Sequence, residues 1–284
     1  SGVIVGLQNA DDITANYICV ANVTSAPGNY PIVPALVDPN GRLGNYLVTI
    51  NIGTLTVTRA TPVLTWNPPP PITYGTALGG AQLNASVGSG GSYVYNPPSG
   101  TILNAGTNIL TVVFTPADAV NFSNATGSVN LVVGRAPLTV TANDASRAFG
   151  QTNPVFSGSI TGLVNGDIIT ATYSSSATTN SPSGTYPIVV SLNDPGNRLG
   201  NYNVTTNNGT LAVSQVTPIV TWTNPVAITY DMALGVTQLN ATANVPGSFA
   251  YMPAAGAFLN LGTNTLTAIF TPSNTAAFNS VTST

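Results

Sequence analysis

The sequence repeats itself at a fixed offset. Residues 1–128 align without a gap on residues 157–284, a shift of 156 positions (157 − 1), and about half of the aligned pairs are identical. TPVLTW at Thr61–Trp66 returns as TPIVTW at Thr217–Trp222, and RLGNY at Arg42–Tyr46 returns as RLGNY at Arg198–Tyr202. Self-similarity at one period marks an array of supersecondary units. Arrays are built for length, spacing or many weak contacts, so the repeat points away from a single catalytic pocket.

The pattern within each repeat is that of β-structure. Leu138, Val140 and Ala142 alternate with Thr139, Thr141 and Asn143. Leu110, Val112 and Phe114 form one face of ILTVVF, and Leu131 and Val133 alternate in VNLVV. Turn chemistry separates these runs, as in Asp38-Pro39-Asn40-Gly41 and Asn193-Asp194-Pro195-Gly196-Asn197. Short alternating runs with regular turns predict antiparallel sandwiches and no long helix. Each repeat divides at Pro-containing joints into two modules. The expected modules are 1–58 (opening strand absent), 59–135, 136–214 and 215–284 (closing strand absent). The joints hold no Gly/Ser linker, and proline fixes φ, so a semi-rigid linear array is expected.

The stretch Val129–Phe156 occurs once. It holds the closing strand of one module and the opening strand of the next. Residues 215–284 therefore lack a counterpart of Val129–Val133, and residues 1–58 lack one of Leu138–Asn143. A sandwich missing a strand exposes an apolar groove with unpaired backbone groups. Strands from neighbouring copies, or from a longer covalent chain, are expected to complete both ends.

Residues 136–214 resemble the MBG-type domain through LTVTANDASRAFGQTNPVFSGSITGLVNGD, GTYPIVV and GNYNVTTNNGTLAV. Residues 59–135 are similar to bacterial Ig-like repeats through ITYGTALGGAQLNA, LNAGTNILTVVFTP and NFSNATGSVNLVV. The resemblance implies tandem modules of a large bacterial surface protein, placed outside the cell or on its surface.

Composition narrows the chemistry. The chain carries five Arg, eight Asp and no Lys, Glu or His; 5% of its residues are charged, against about a quarter in ordinary domains. Without His or Lys there is no Ser-His-Asp or Cys-His pair and no Schiff base, so catalysis is not expected, and neither is a cofactor. Asp11-Asp12 is not kept as a pair in the second copy, and alternation along a strand would point the two side chains apart. Five arginines leave no footprint for nucleic acid, and no apolar run has the length of a membrane span. Cys19 is the one cysteine and reads as a small hydrophobe on a strand.

Asp38/Asp194 and Arg42/Arg198 recur at turns. Each Asp reads as a carboxylate that caps backbone N–H groups and pairs with the nearby arginine. The alternative is a weak calcium site using Asp38 or Asp194 with loop carbonyls, and calcium asks for six to eight oxygens. The recurring aromatics Tyr30/Tyr186, Tyr46/Tyr202, Trp66/Trp222, Tyr74/Tyr230, Tyr95/Tyr251, Phe114/Phe270 and Phe122/Phe278 read as core, with both tryptophans inside strands. Sequons at Asn22, Asn84, Asn121, Asn124, Asn203, Asn208 and Asn240 are acceptor positions in a chain exposed to a glycosylating machinery. The expected function is structural, a stretch of extracellular fibre, stalk or filament whose partners are copies of itself. The alternative is an adhesin that grips a carbohydrate or a surface protein.

Overall fold

The computed structural model describes residues 1–284. It is all-β apart from two one-turn 3-10 helices, Leu43–Asn45 and Leu199–Asn201. The chain forms two compact units, Ser1–Gly134 and Arg135–Thr284.

In the first unit, β1 (Thr14–Cys19), β2 (Gly28–Val37) and β3 (Gly53–Val57) form an antiparallel sheet in that order. Next come β4 (Leu64–Thr65), β5 (Ile72–Thr73), β6 (Ser86–Val87), β7 (Gly91–Asn96), β8 (Gly106–Pro116) and β9 (Ala125–Gly134). The larger sheet has the order β5-β9-β8-β7, with β9 parallel to β5 and antiparallel to β8. β4 and β6 make a short ladder of their own. Alternation places Leu110, Val112 and Phe114 of β8 beside Val129, Leu131 and Val133 of β9 as the buried face, as the period of two requires. Gly127 lets Leu64 pack over β9, since a Cβ there would stand 2.7 Å from Leu64 Cδ2.

The second unit opens with β10 (Ala136–Ala142), β11 (Ala145–Ala148), β12 (Gly158–Thr161), β13 (Thr170–Ser174), β14 (Gly184–Asn193), β15 (Tyr202–Asn207) and β16 (Gly209–Ser214). These form two facing sheets, β12-β10-β15 and β11-β16-β14-β13. β10 is the middle strand of its sheet, antiparallel to β12 and parallel to β15. Its inward residues Leu138, Val140 and Ala142 are buried, and Ala142 packs with Ile188, Leu211 and Val213 of the opposite sheet. Closing the unit are β17 (Val220–Thr221), β18 (Thr242–Ala243), β19 (Gly247–Met252), β20 (Thr267–Pro272) and β21 (Val281–Ser283), with sheets β17-β18 and β19-β20-β21. The two parts of this unit are tied together. Ser183 N–H donates to Ala276 O (2.8 Å), and the ring of Phe149 meets Phe278 edge-on at 5.6 Å.

The two tryptophans differ from expectation. Trp66 and Trp222 stand just past two-residue strands rather than inside long ones. Each indole N–H donates to the carbonyl of Gln82 or Gln238, at 3.1 and 3.0 Å. Asp11 and Asp12 likewise precede β1 instead of lying on a strand.

Candidate functional site

Comparing the two copies shows where the fold is complete and where it is open. β12 and β15 flank β10 in the second unit. Their counterparts in the first unit, residues 2–5 and 46–51, form no strand. No residue of this chain stands there in the place of β10. The opposite sheet then loses its cover: Leu211 is fully buried, whereas its counterpart Leu55 is 40% exposed. Val3, Val5, Leu47, Ile50 and Ile52 are also exposed, as are their counterparts Ser159, Thr161, Asn203, Thr206 and Asn208.

A second open edge lies within residues 215–284. β8 pairs with β9 through Gly106↔Val133, Asn108↔Leu131 and Leu110↔Val129, and Tyr74 N–H donates to Gly134 O (2.8 Å). The counterpart of β8 is β20, which begins at Thr267, so Gly262–Leu266 carry no ladder. The result is a groove of about 460 Å³ lined by Trp222, Ile228, Tyr230, Leu261, Thr263 and Leu266, among others, with no charged side chain on its wall. Tyr74 is 5% exposed where β9 covers it, and Tyr230 is 74% exposed where nothing does.

The recurring charges serve the turns. Asp38 Oδ1 and Oδ2 accept from the backbone N–H groups of Arg42 (2.9 Å) and Leu43 (2.7 Å). Asp194 accepts from Arg198 (2.9 Å) and Leu199 (2.7 Å) in the same way. These donors hold both carboxyls below the usual carboxylate range. A cation at either turn would compete with two N–H donors for the same oxygens. Each Asp takes the backbone N–H of its arginine, the Arg198 charge also favours the Asp194 carboxylate, and the Arg198 guanidinium reaches Asp167 Oδ1 at 3.8 Å. No group of three or more His, Cys, Asp or Glu side chains converges anywhere in the fold.

Two recurring features escaped the sequence reading. The first is a tyrosine lock. Tyr46 O–H donates to Asp11 Oδ2 (2.7 Å), and its oxygen accepts from Gln8 N–H (3.0 Å). Tyr202 does the same with Asp167 (2.7 Å) and Val164 N–H (3.1 Å). The carboxylate of Asp11 raises the Tyr46 phenol above its ordinary value. The second is an aromatic row. Trp66 meets Tyr95 edge-on at 5.5 Å, and Tyr93 meets Phe114 at 5.0 Å. Trp222 meets Tyr251 at 5.5 Å, and Phe249 meets Phe270 at 4.9 Å. Tyr93 and Phe249 differ in identity, which hid their shared role.

Cys19 ends β1, half-buried and unpaired with another cysteine. All seven sequon asparagines are exposed. The amides of Asn84, Asn121 and Asn240 donate to neighbouring Ala81 O, Asp118 Oδ2 and Thr237 O. No helix is long and apolar enough to cross a membrane.

The segment from β10 to β16 decides the family comparison. Residues 138–212 match the MBG domain (YGX type). That MBG match takes in both facing sheets of the first part of the second unit, and residues 1–56 repeat its portion 157–212. No curated protein matches the chain. Among solved structures, Drosophila N-cadherin EC1-4 aligns over 76% of this chain and 73% of its own, at 10% identity. The TM-score of that alignment is 0.23.

Proposed function

We propose that the chain is a stretch of an extracellular fibre or stalk, made of four β-sandwich modules at 1–58, 59–135, 136–214 and 215–284. The observation that carries this reading is what the repeat keeps. Between copies, the core aromatics, the tyrosine lock, the capped turn and the Gly-containing turns recur, while the charges outside those elements do not: Asp12 stands opposite Ile168, Arg59 opposite Gln215, Asp118 opposite Asn274 and Asp231 opposite Gly75. A sequence that retains its folding elements and lets its ionisable groups drift is selected for architecture. The sparse charge fits side-by-side packing, because such surfaces repel one another weakly. The MBG match at 138–212 agrees with a bacterial surface array of repeated modules.

Electron cryo-microscopy of the native material tests the reading. Continuous filaments with a strand closing residues 215–284 are the expected result. Isolated particles carrying one defined ligand site would contradict it.

A further inference from the structure

We infer that the edge strand β1, with the apolar face beside it, docks a second molecule of this chain, strand against strand. The contact deepens the array reading by naming the face through which one stretch lies beside another, and it rests on that reading for its role alone.

β1 is the outer strand of the sheet β1-β2-β3, so the backbone groups along its free side have no ladder partner within the chain. Such edges are ordinarily blunted by charge, proline or a bulge. Thr14–Cys19 has no proline and no charge, and no charged side chain stands between Asp12 and Asp38. The register sets Ile18 opposite Val33 and Thr14 opposite Val37, and Val20 follows two residues beyond Ile18. Ile18 is 58% exposed, Val20 76%, Val33 40% and Val37 39%. Val23, in the turn that follows, is fully exposed.

The same face in the other repeat is polar. Ser174, Ser176, Thr179 and Asn193 stand where Ile18, Val20, Val23 and Val37 are, and only Val33/Val189 stays apolar. All four polar counterparts are exposed in the sandwich that holds β10. Exposure at these positions is therefore a property of the whole sandwich and does not come from an absent strand. Strand propensity explains a β-branched residue within a strand, but Val20 and Val23 lie outside one. Aliphatic side chains clustered in water, where the fold accepts serine and threonine, gain by being covered.

The edge also defines its partner. Free backbone groups in series ask for an extended strand. Two-fold pairing of β1 with β1 brings together only uncharged side chains, so no charge meets its like. Antiparallel pairing keeps facing residues on a common side, so Ile18 and Val20 of both molecules join Val33 in one continuous aliphatic face. The counterpart edge β13 offers Ser174 and Ser176 in the same places and makes no such face. A six-residue edge belongs to the small, transient class of interface, below about 1,200 Å². Each contact is therefore weak alone, and rows of them along an array add up.

The test is sedimentation velocity on the 284-residue protein across a concentration series, with hydrogen exchange at low and high concentration. Reversible association is expected, with exchange at residues 14–20 slowed at high concentration and exchange at 170–176 unchanged. Ile18→Ser combined with Val20→Ser gives the edge the residues that the other repeat carries in its folded sandwich, so the fold is retained. The double variant should associate at least about tenfold more weakly, which the lost burial of two aliphatic side chains accounts for. Val189→Ser, on the polar counterpart face, should leave association unchanged. A monomer at every concentration up to about 1 mM would overturn the contact. So would association that survives both serines, or that protects only residues elsewhere. Association through residues 14–20 in material that forms no fibre would uphold the contact and count against the array. Fibres that assemble equally well with both serines would do the reverse.

Discussion

At the residue scale, each copy is held by a few side chains that tie distant backbone together. Tyr202 is buried, and its hydroxyl joins the N–H of Val164 to the carboxylate of Asp167, whose side chain is itself 8% exposed. Tyr202→Phe removes the acceptor of the Val164 N–H and one donor to the Asp167 carboxylate. Chemical denaturation should show a loss of about 1–3 kcal/mol, the usual cost of an unsatisfied buried polar group. Asp194 gives a pH signature. Its folded pKa is depressed below 3.8 by the N–H groups of Arg198 and Leu199. A depressed carboxylate contributes stability that is present above the unfolded pKa and is lost as pH falls through the folded value. The Arg198 and Leu199 amide resonances should therefore be constant above about pH 5 and shift as acid protonates Asp194. Asp194→Asn should abolish that titration. Asp38 and Asp194 were legible as turn caps because Asp-Pro before a glycine-containing turn has one common geometry. The tyrosine lock was not, because its partners lie 35 and 38 positions apart and no local pattern links them.

At the element scale, strand faces were readable wherever a run was long enough to show its period. β8, β9 and β10 bury the residues that their alternation marks. β4, β5 and β6 have two residues each, and two residues carry no period, so the sequence does not show that β4 stops short of Trp66. Neighbouring strands also decide what a position tolerates. A Cβ on Gly209 would lie 2.6 Å from Asn143 O and 2.9 Å from Ala142 O, at the end of β10. The counterpart Gly53 has no such strand beside it, and its nearest contact would be Ile32 Cβ at 3.5 Å. Gly209→Ala should lower the stability of its sandwich by about 1–3 kcal/mol, as overpacking against fixed backbone does. Gly53→Ala should be close to neutral. Thermal unfolding of the two variants side by side checks this, and equal effects would mean that Gly53 also has a strand against it.

At the scale of the whole molecule, one sequence pattern folds twice, and the copies differ where a partner strand is present or missing. The repeat made the fold class and both open edges legible, since a gap-free alignment shows which strand has no counterpart. It did not show that the turn at Asn264 keeps the form of its counterpart at Asn108, because that rests on hydrogen bonds to Asn260 and Gly262 that a sequence does not display. Hydrogen exchange on the free 284-residue chain, read residue by residue, is the most direct test. The account predicts protected amides at 107–110 and 203–207, beside slow-exchanging β9 and β10. It predicts fast exchange at the counterparts, 263–266 and 47–51. Equal protection in both copies would contradict it, because the strands said to be missing would then have replacements within the chain.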